Sequence, residues 1–141
     1  MYKAGIMNSF LIITLLILSL TKANIALASN ELYCPNETGI FRHECLSKKL
    51  ETTEALMEKE IDSVLGNIIS TSHIPVQKRA QWQSELIKSQ EMWSSYKDKT
   101  CEMKHYKWWG AAGGSGASNE TIICRISLTL NRIDTLRSLK P

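Results

Sequence analysis

The sequence predicts an all-α fold, a small antiparallel three-helix bundle with two disulfides. Three observations carry that prediction. Apolar residues recur three and four apart over three long segments, the spacing that lines one face of a helix. Ser, Thr, Pro and Gly collect between those segments, where a chain turns. Four cysteines, Cys34, Cys45, Cys101 and Cys124, fall near the segment ends.

The amino terminus precedes the bundle and has a different character. Lys3 is followed by an apolar run from Phe10 to Leu20 and then by Ala26-Leu27-Ala28-Ser29, the order of a secretory signal peptide with a small-x-small cleavage site. Thr21, Lys22 and Asn24 interrupt the run before it reaches the roughly 20 residues that span a bilayer. Tyr33 is too bulky to precede a lipid-attached Cys34. The expected organisation is a signal peptide over residues 1–28 and one helical domain over 29–141, with no stable membrane insertion after cleavage and a periplasmic or secreted location.

Cleavage also changes the charge. Loss of Lys3 and Lys22 lowers Lys plus Arg from 17 to 15 against 14 acids, so the net charge falls from +3 to +1. No basic stripe of the kind that holds nucleic acid remains.

The first helix is expected from about Phe41 to Ile69. Leu46, Leu50, Thr53, Met57, Ile61, Val64 and Ile68 form its apolar stripe, and Lys48, Lys49, Glu51, Glu54, Glu58 and Lys59 fill the other faces, so the stripe must be buried against a partner. Ser70 to Pro75 breaks the pattern, since Pro75 pushes Ile74 out of helical geometry. A second helix is expected from Val76 to Lys104, with Trp82, Leu86, Gln90, Trp93, Tyr96 or Lys97, and Cys101 inward. Between His105 and Asn119 lie Tyr106-Lys107-Trp108-Trp109 and four glycines within Gly110 to Gly116, too costly for a helix interior. This stretch reads as a loop. Ser118 or Asn119 then caps a third helix from Glu120 to about Leu139, with Ile123, Ile126, Leu130, Ile133 and Leu136 or Arg137 inward.

An even number of cysteines in an exported chain reads as disulfides, and three pairings are open from the sequence alone. The antiparallel topology favours one of them. Cys101 closes the second helix and Cys124 opens the third, so they meet across the glycine loop. Cys34 and Cys45 then pin the amino-terminal segment to the first helix. His43 and His105 lie near cysteines, but no CxxC or HxxxH spacing accompanies them, and no metal or cofactor is expected.

Enzyme signatures are missing: there is no GxSxG elbow, HExxH helix, phosphate loop or dinucleotide fingerprint. The glycine run lacks the preceding strand and following Lys-Ser/Thr of a phosphate cradle. Glu58 and Asp62, four apart, read as a solvated face, and His43, His73 and His105 are scattered. Asn36-Glu37-Thr38 and Asn119-Glu120-Thr121 match the N-glycosylation triplet, with a turn and a helix cap as their structural reading. Trp82 and Trp93 share one helix face and are expected in the core. Trp108 and Trp109 cannot both point inward; one is expected over the Cys101–Cys124 bridge and the other in solvent. The candidate partner-binding residues are therefore His105, Lys107, Trp108, Trp109, Gly113, Gly114 and Ser115, because an exposed aromatic beside a cation is the composition of an interface hot spot.

The run Leu86, Gln90, Trp93, Tyr96, Lys97, Asp98 and Cys101, then Gly113-Gly114-Ser115, then Cys124, Leu128, Thr129, Arg132 and Leu136, resembles the lysozyme inhibitor LprI-like family. Cys34 and Cys45 match its paired cysteines ahead of a long first helix. One departure is visible: the family's Leu-Asn and following Tyr on that helix are replaced by Leu65-Gly66-Asn67-Ile68-Ile69. The resemblance implies a helical, disulfide-bonded envelope or secreted bacterial protein, in a family some of whose members inhibit lysozyme, with another exported protein, a lysozyme, as partner; the missing motifs imply no enzyme. An inhibitor that occludes a muramidase's substrate cleft is the leading expectation. An envelope structural or regulatory module without lysozyme activity is the alternative.

Overall fold

The structure, a computed structural model, describes residues 33–106 and 114–140. The chain divides into two units between Asn36 and Glu37, and all three helices lie in the second. These are α1 (Gly39–Ser70), α2 (Val76–Tyr106) and α3 (Ser115–Ser138), with no strand among the described residues. The all-α bundle expected from the periodicity is present.

The order of packing is uneven. α3 packs most extensively against α1 and next against α2, while α1 and α2 touch each other little. α3 is thus the central helix, which explains why its buried face is the widest. Ile122, Ile126, Thr129, Arg132, Ile133 and Leu136 are all buried along it. The expected stripe included Ile126, Ile133 and Leu136 but missed Ile122, Thr129 and Arg132; Ile123 and Leu130 are half-buried at its edges. A helix with neighbours on two sides must bury a broader arc than a single 3.6-residue stripe.

α1 follows its expected stripe closely. Leu46, Thr53, Met57, Val64 and Ile68 are buried, and Leu50 and Ile61 are half-buried. Thr53 is tolerated in this face because its hydroxyl donates to the Lys49 carbonyl at 2.7 Å. Gly39, the first residue of α1, has φ +55, a left-handed conformation that glycine adopts without strain.

The turn from α1 to α2 is short and satisfied by local groups. Arg79 donates from Nη1 to the carbonyls of Ile69 at 2.8 Å and Thr71 at 2.9 Å, covering acceptors that the end of α1 leaves without helical partners. Pro75 immediately precedes α2, and its carbonyl accepts from the backbone N–H of Lys78 and Arg79. A proline is well placed there because a helix start needs no N–H from it.

One buried cluster lies in the half of the bundle nearest the α1–α2 turn, and Leu46, Ile122 and Ile126 are buried in the other half. Met57, Val64, Ile68, Leu86, Ile133 and Leu136 form that cluster, with Ile61, Leu65, Trp82, Trp93 and Leu130 packed against it. Trp82 and Trp93 therefore border the core rather than fill it, and both remain half-buried. A side chain as large as an indole is seldom fully buried. Between Tyr96 and Lys97 the inward residue is Lys97, 6% exposed, whereas Tyr96 is 57% exposed.

All four cysteines are oxidised, as Cys34–Cys45 and Cys101–Cys124. The second bridge joins α2 to α3 with its Cα atoms 5.5 Å apart, a separation typical of disulfides.

Candidate partner-binding site

The expected loop begins later and ends earlier than its composition suggested. α2 continues through His105 and Tyr106, and α3 begins at Ser115. His105 is thus an exposed helical residue, Gly114 is the exposed N-cap of α3, and Ser115 is that helix's first residue. Lys107, Trp108, Trp109 and Gly113 lie outside the described residues, as does the expected packing of a tryptophan over the bridge.

The third helix starts five residues before the expected Glu120, and neither Ser118 nor Asn119 caps it. Two physical causes override the glycine penalty. The first turn of a helix has no intrahelical acceptors for its N–H groups, so Gly116 forfeits little there. Ala117 and Asn119 are also buried in the bundle, at 1% and 9% exposure. Asn119 Oδ1 lies 3.1 Å from His43 Nδ1, and Ser118 Oγ lies 3.5 Å from the same nitrogen. With the imidazole proton on Nδ1, His43 donates to Asn119 and ties the start of α1 to the start of α3. His43 is consequently a helical structural residue, and Asn119, the buried first residue of its triplet, has a packing role.

A groove of about 540 Å³ lies beside this end of the bundle. Asp98, Glu102 and His105 line it from α2, and Thr121, Ile122 and Arg125 from α3. Asp98 and Arg125 form an ion pair at 3.5 Å across it. Glu102 meets Lys99 at 3.4 Å and accepts from the Tyr106 hydroxyl at 3.4 Å. These are long, partly exposed contacts, of the class that contributes at most about 1 kcal/mol each. Their carboxylates can be recruited by another cation at little cost. Among the described residues no group of three His, Cys, Asp or Glu could hold a metal ion, and no helix is long and apolar enough to cross a membrane.

Further down α2 the motif residues form a polar layer. Lys97 Nζ reaches Glu54 Oε1 of α1 at 2.6 Å and sits 5.3 Å from the centre of the Trp93 ring. Arg132 of α3 lies 5.9 Å from the same ring. It donates from Nε to Gln90 Oε1 at 3.0 Å and from Nη2 to Ser89 Oγ at 2.9 Å. Burial lowers the Arg132 pKa from its ordinary value, since desolvation disfavours the charged form. Gln90 in turn donates to the Met57 sulfur at 3.5 Å. Trp93 thus serves two cations from its ring, a contact worth about 0.5–2 kcal/mol per cation in general. Helix periodicity leaves Tyr96 and Lys97 as alternatives for one inward position and treats Arg132 as a surface residue. Only the run Gln90, Trp93, Lys97 with the distant Arg132, taken as one motif, marks them as a set.

The family comparison covers all of these residues. The model of the family described as lysozyme inhibitor LprI matches residues 34–136, which include the four cysteines, the Trp93 layer and the groove. No curated protein and no solved structure matches the chain. Matched over most of its length, the chain belongs to the lysozyme inhibitor LprI family.

Proposed function

We propose that this protein is exported by a signal peptide over residues 1–28 and that the domain of residues 29–141 inhibits a lysozyme-type muramidase in the periplasm or outside the cell by occluding its substrate cleft. The observation that carries the reading is family membership across residues 34–136, and the two disulfides agree with an oxidising compartment. The contact is assigned to His105, Lys107, Trp108, Trp109, Gly113, Gly114 and Ser115. Trp108 or Trp109 would occupy a sugar subsite, and Lys107 would face the enzyme's catalytic carboxylates. After export the net charge is close to neutral, so affinity rests on shape more than on long-range attraction.

The test is lysozyme turnover of cell-wall substrate with purified protein at micromolar excess, oxidised and reduced. Inhibition that falls on Trp108→Ala with Trp109→Ala, and on reduction, is the expected result. Unchanged turnover with the oxidised wild type rejects the reading.

A second reading rests on α1. Glu51, Glu58 and Asp62 are exposed along one face and make no ion pair among the described residues, and Glu51 and Glu58 line a second groove of about 370 Å³. An envelope interaction module would use that face for a basic exported partner. Capture of a partner that survives the tryptophan substitutions but is lost with Glu51→Lys and Glu58→Lys favours it.

A further inference from the structure

The outward face of α2 carries an exposed apolar stripe. Met92 is 69% exposed, Tyr96 57%, Met103 62% and Tyr106 48%. Their spacing of four, seven and three residues puts them on one side of the helix, over about 21 Å of its length at 1.5 Å per residue. Lys99 lies between them, and its aliphatic stem extends the stripe while its ammonium reaches Glu102. Large exposed side chains aligned in this way exceed the scattered apolar residues of an ordinary surface. Methionine and tyrosine suit an adaptable contact, since one has a flexible thioether and the other an amphipathic ring.

What the stripe faces is indicated by its border. Glu91, Asp98 and Glu102, spaced seven and four apart, fall together on one flank, and the last two also line the groove against α3. The opposite flank holds Ser89 and Thr100 and no acid. In a twofold pair of antiparallel helices like flanks meet, so a second copy seated on this stripe would bring Glu91 toward Glu102 of its mate. A basic partner suffers no such repulsion. Glu91 has no ion pair among the described residues, and the long contacts of Asp98 and Glu102 leave both available.

We infer that the outer face of α2, from Met92 to Tyr106 with its acidic flank, is a docking surface for the cationic surface of the muramidase. The inference rests on that functional reading and extends it. The apolar stripe supplies contact area, and the flank of Glu91, Asp98 and Glu102 sets orientation against basic side chains of the enzyme.

The experiment measures binding and inhibition of a purified, strongly cationic lysozyme by the full mature protein, with circular dichroism melting as the control for folding. Tyr96→Ala combined with Met103→Ala should weaken binding by about tenfold or more, as loss of paired interface anchors does, with an unchanged melting temperature because both side chains are exposed. Lys99→Glu should act in the opposite direction, tightening binding about two- to fivefold at low ionic strength and losing that gain as salt screens it. If the wild type binds lysozyme and the double variant binds equally well, or Lys99→Glu weakens binding, the inference fails while the functional reading stands. If the wild type does not bind at all, both fail. Wild-type self-association that Tyr96→Ala with Met103→Ala abolishes would place a second copy on the stripe and overturn the inference.

Discussion

The two halves of this bundle hold together by different means. Around the turn between α1 and α2 the core is apolar: Ile68, Leu86, Ile133 and Leu136 are almost wholly excluded from solvent. Toward the other end the buried apolar residues Leu46, Ile122 and Ile126 are supplemented by the Cys101–Cys124 bridge, the His43–Asn119 contact and the Lys97–Glu54 pair. Apolar packing is non-directional, whereas a disulfide and paired polar groups fix register and orientation. The half that fixes orientation is also the half with the groove and the α2 stripe. A surface that must match a partner benefits from a defined frame beneath it.

The contrast is broken most severely in the apolar half. Leu136→Ala removes a fully buried side chain at the meeting of all three helices and should cost about 3–4 kcal/mol, the range for leucine deletions that leave a cavity. Urea unfolding followed by circular dichroism measures it. Loss of the bridge comes next. Cys101→Ala with Cys124→Ala frees a loop of sequence separation 23 and should cost about 3 kcal/mol. Its effect on lysozyme binding should exceed its share of stability, because the bridge joins the helix segments that line the groove. Leu136→Ala should do the reverse. Equal ratios of binding loss to stability loss for the two variants would remove the distinction between the halves.

The polar layer allows a finer comparison within one ion pair. The Lys97 side chain is 8% exposed and that of Glu54 38%. Glu54→Gln therefore leaves a buried ammonium without its carboxylate, while Lys97→Met leaves a carboxylate that water reaches. The first substitution should cost about 1–3 kcal/mol and the second less, the asymmetry expected when one partner of a pair is the more desolvated. Thermal melts of the two variants at neutral pH give the order directly.

How far the sequence displayed these features depends on whether they repeat. The apolar stripe of α1 from Leu46 to Ile68 was legible because each contact follows a 3.6-residue period against one neighbour. The start of α3 was not. Its first turn is stabilised by Asn119 meeting His43, residues 76 positions apart, and local propensity at Ser115-Gly116 points the other way. Lys97 was legible only as an alternative to Tyr96, and Arg132 was hidden, since their burial depends on Trp93 and Glu54 or Gln90 from other turns and helices. The Met92 to Tyr106 stripe has helical periodicity of its own, but periodicity alone cannot say which of two apolar faces turns inward.

Acid separates the clasp that closes the apolar end. Glu60 of α1 is approached by Lys140 at 2.8 Å and by Arg137 at 3.1 Å. The hydrogen bond from Lys140, then that from Arg137, holds its carboxyl below the usual value of 4.5. A depressed folded-state pKa means that the clasp's contribution is fully present above that value and is lost as pH falls through the lower one. Melting temperature should therefore decline in acid, and Glu60→Gln should flatten that decline while changing little at high salt, where the wild-type clasp is itself screened. An acid limb of the same slope in the variant would show that other carboxylates govern it.

The smallest effect tests the departure from the family pattern on α1. Gly66 stands in the interior of the helix, exposed, and a Cβ built on it meets no atom within 4 Å. Its backbone is not left-handed, since the described residues with positive φ are Cys34 and Gly39. Nothing in its surroundings requires glycine, so it contributes unfolded-state entropy without a compensating contact. Gly66→Ala should raise stability by about 0.5–1 kcal/mol, read as a higher urea midpoint with the same slope. It lies toward the end of α1 distant from the groove, so lysozyme binding should not move. A loss of binding with a gain in stability would instead locate a partner contact on this face of α1, where close approach to the backbone needs a residue without a side chain.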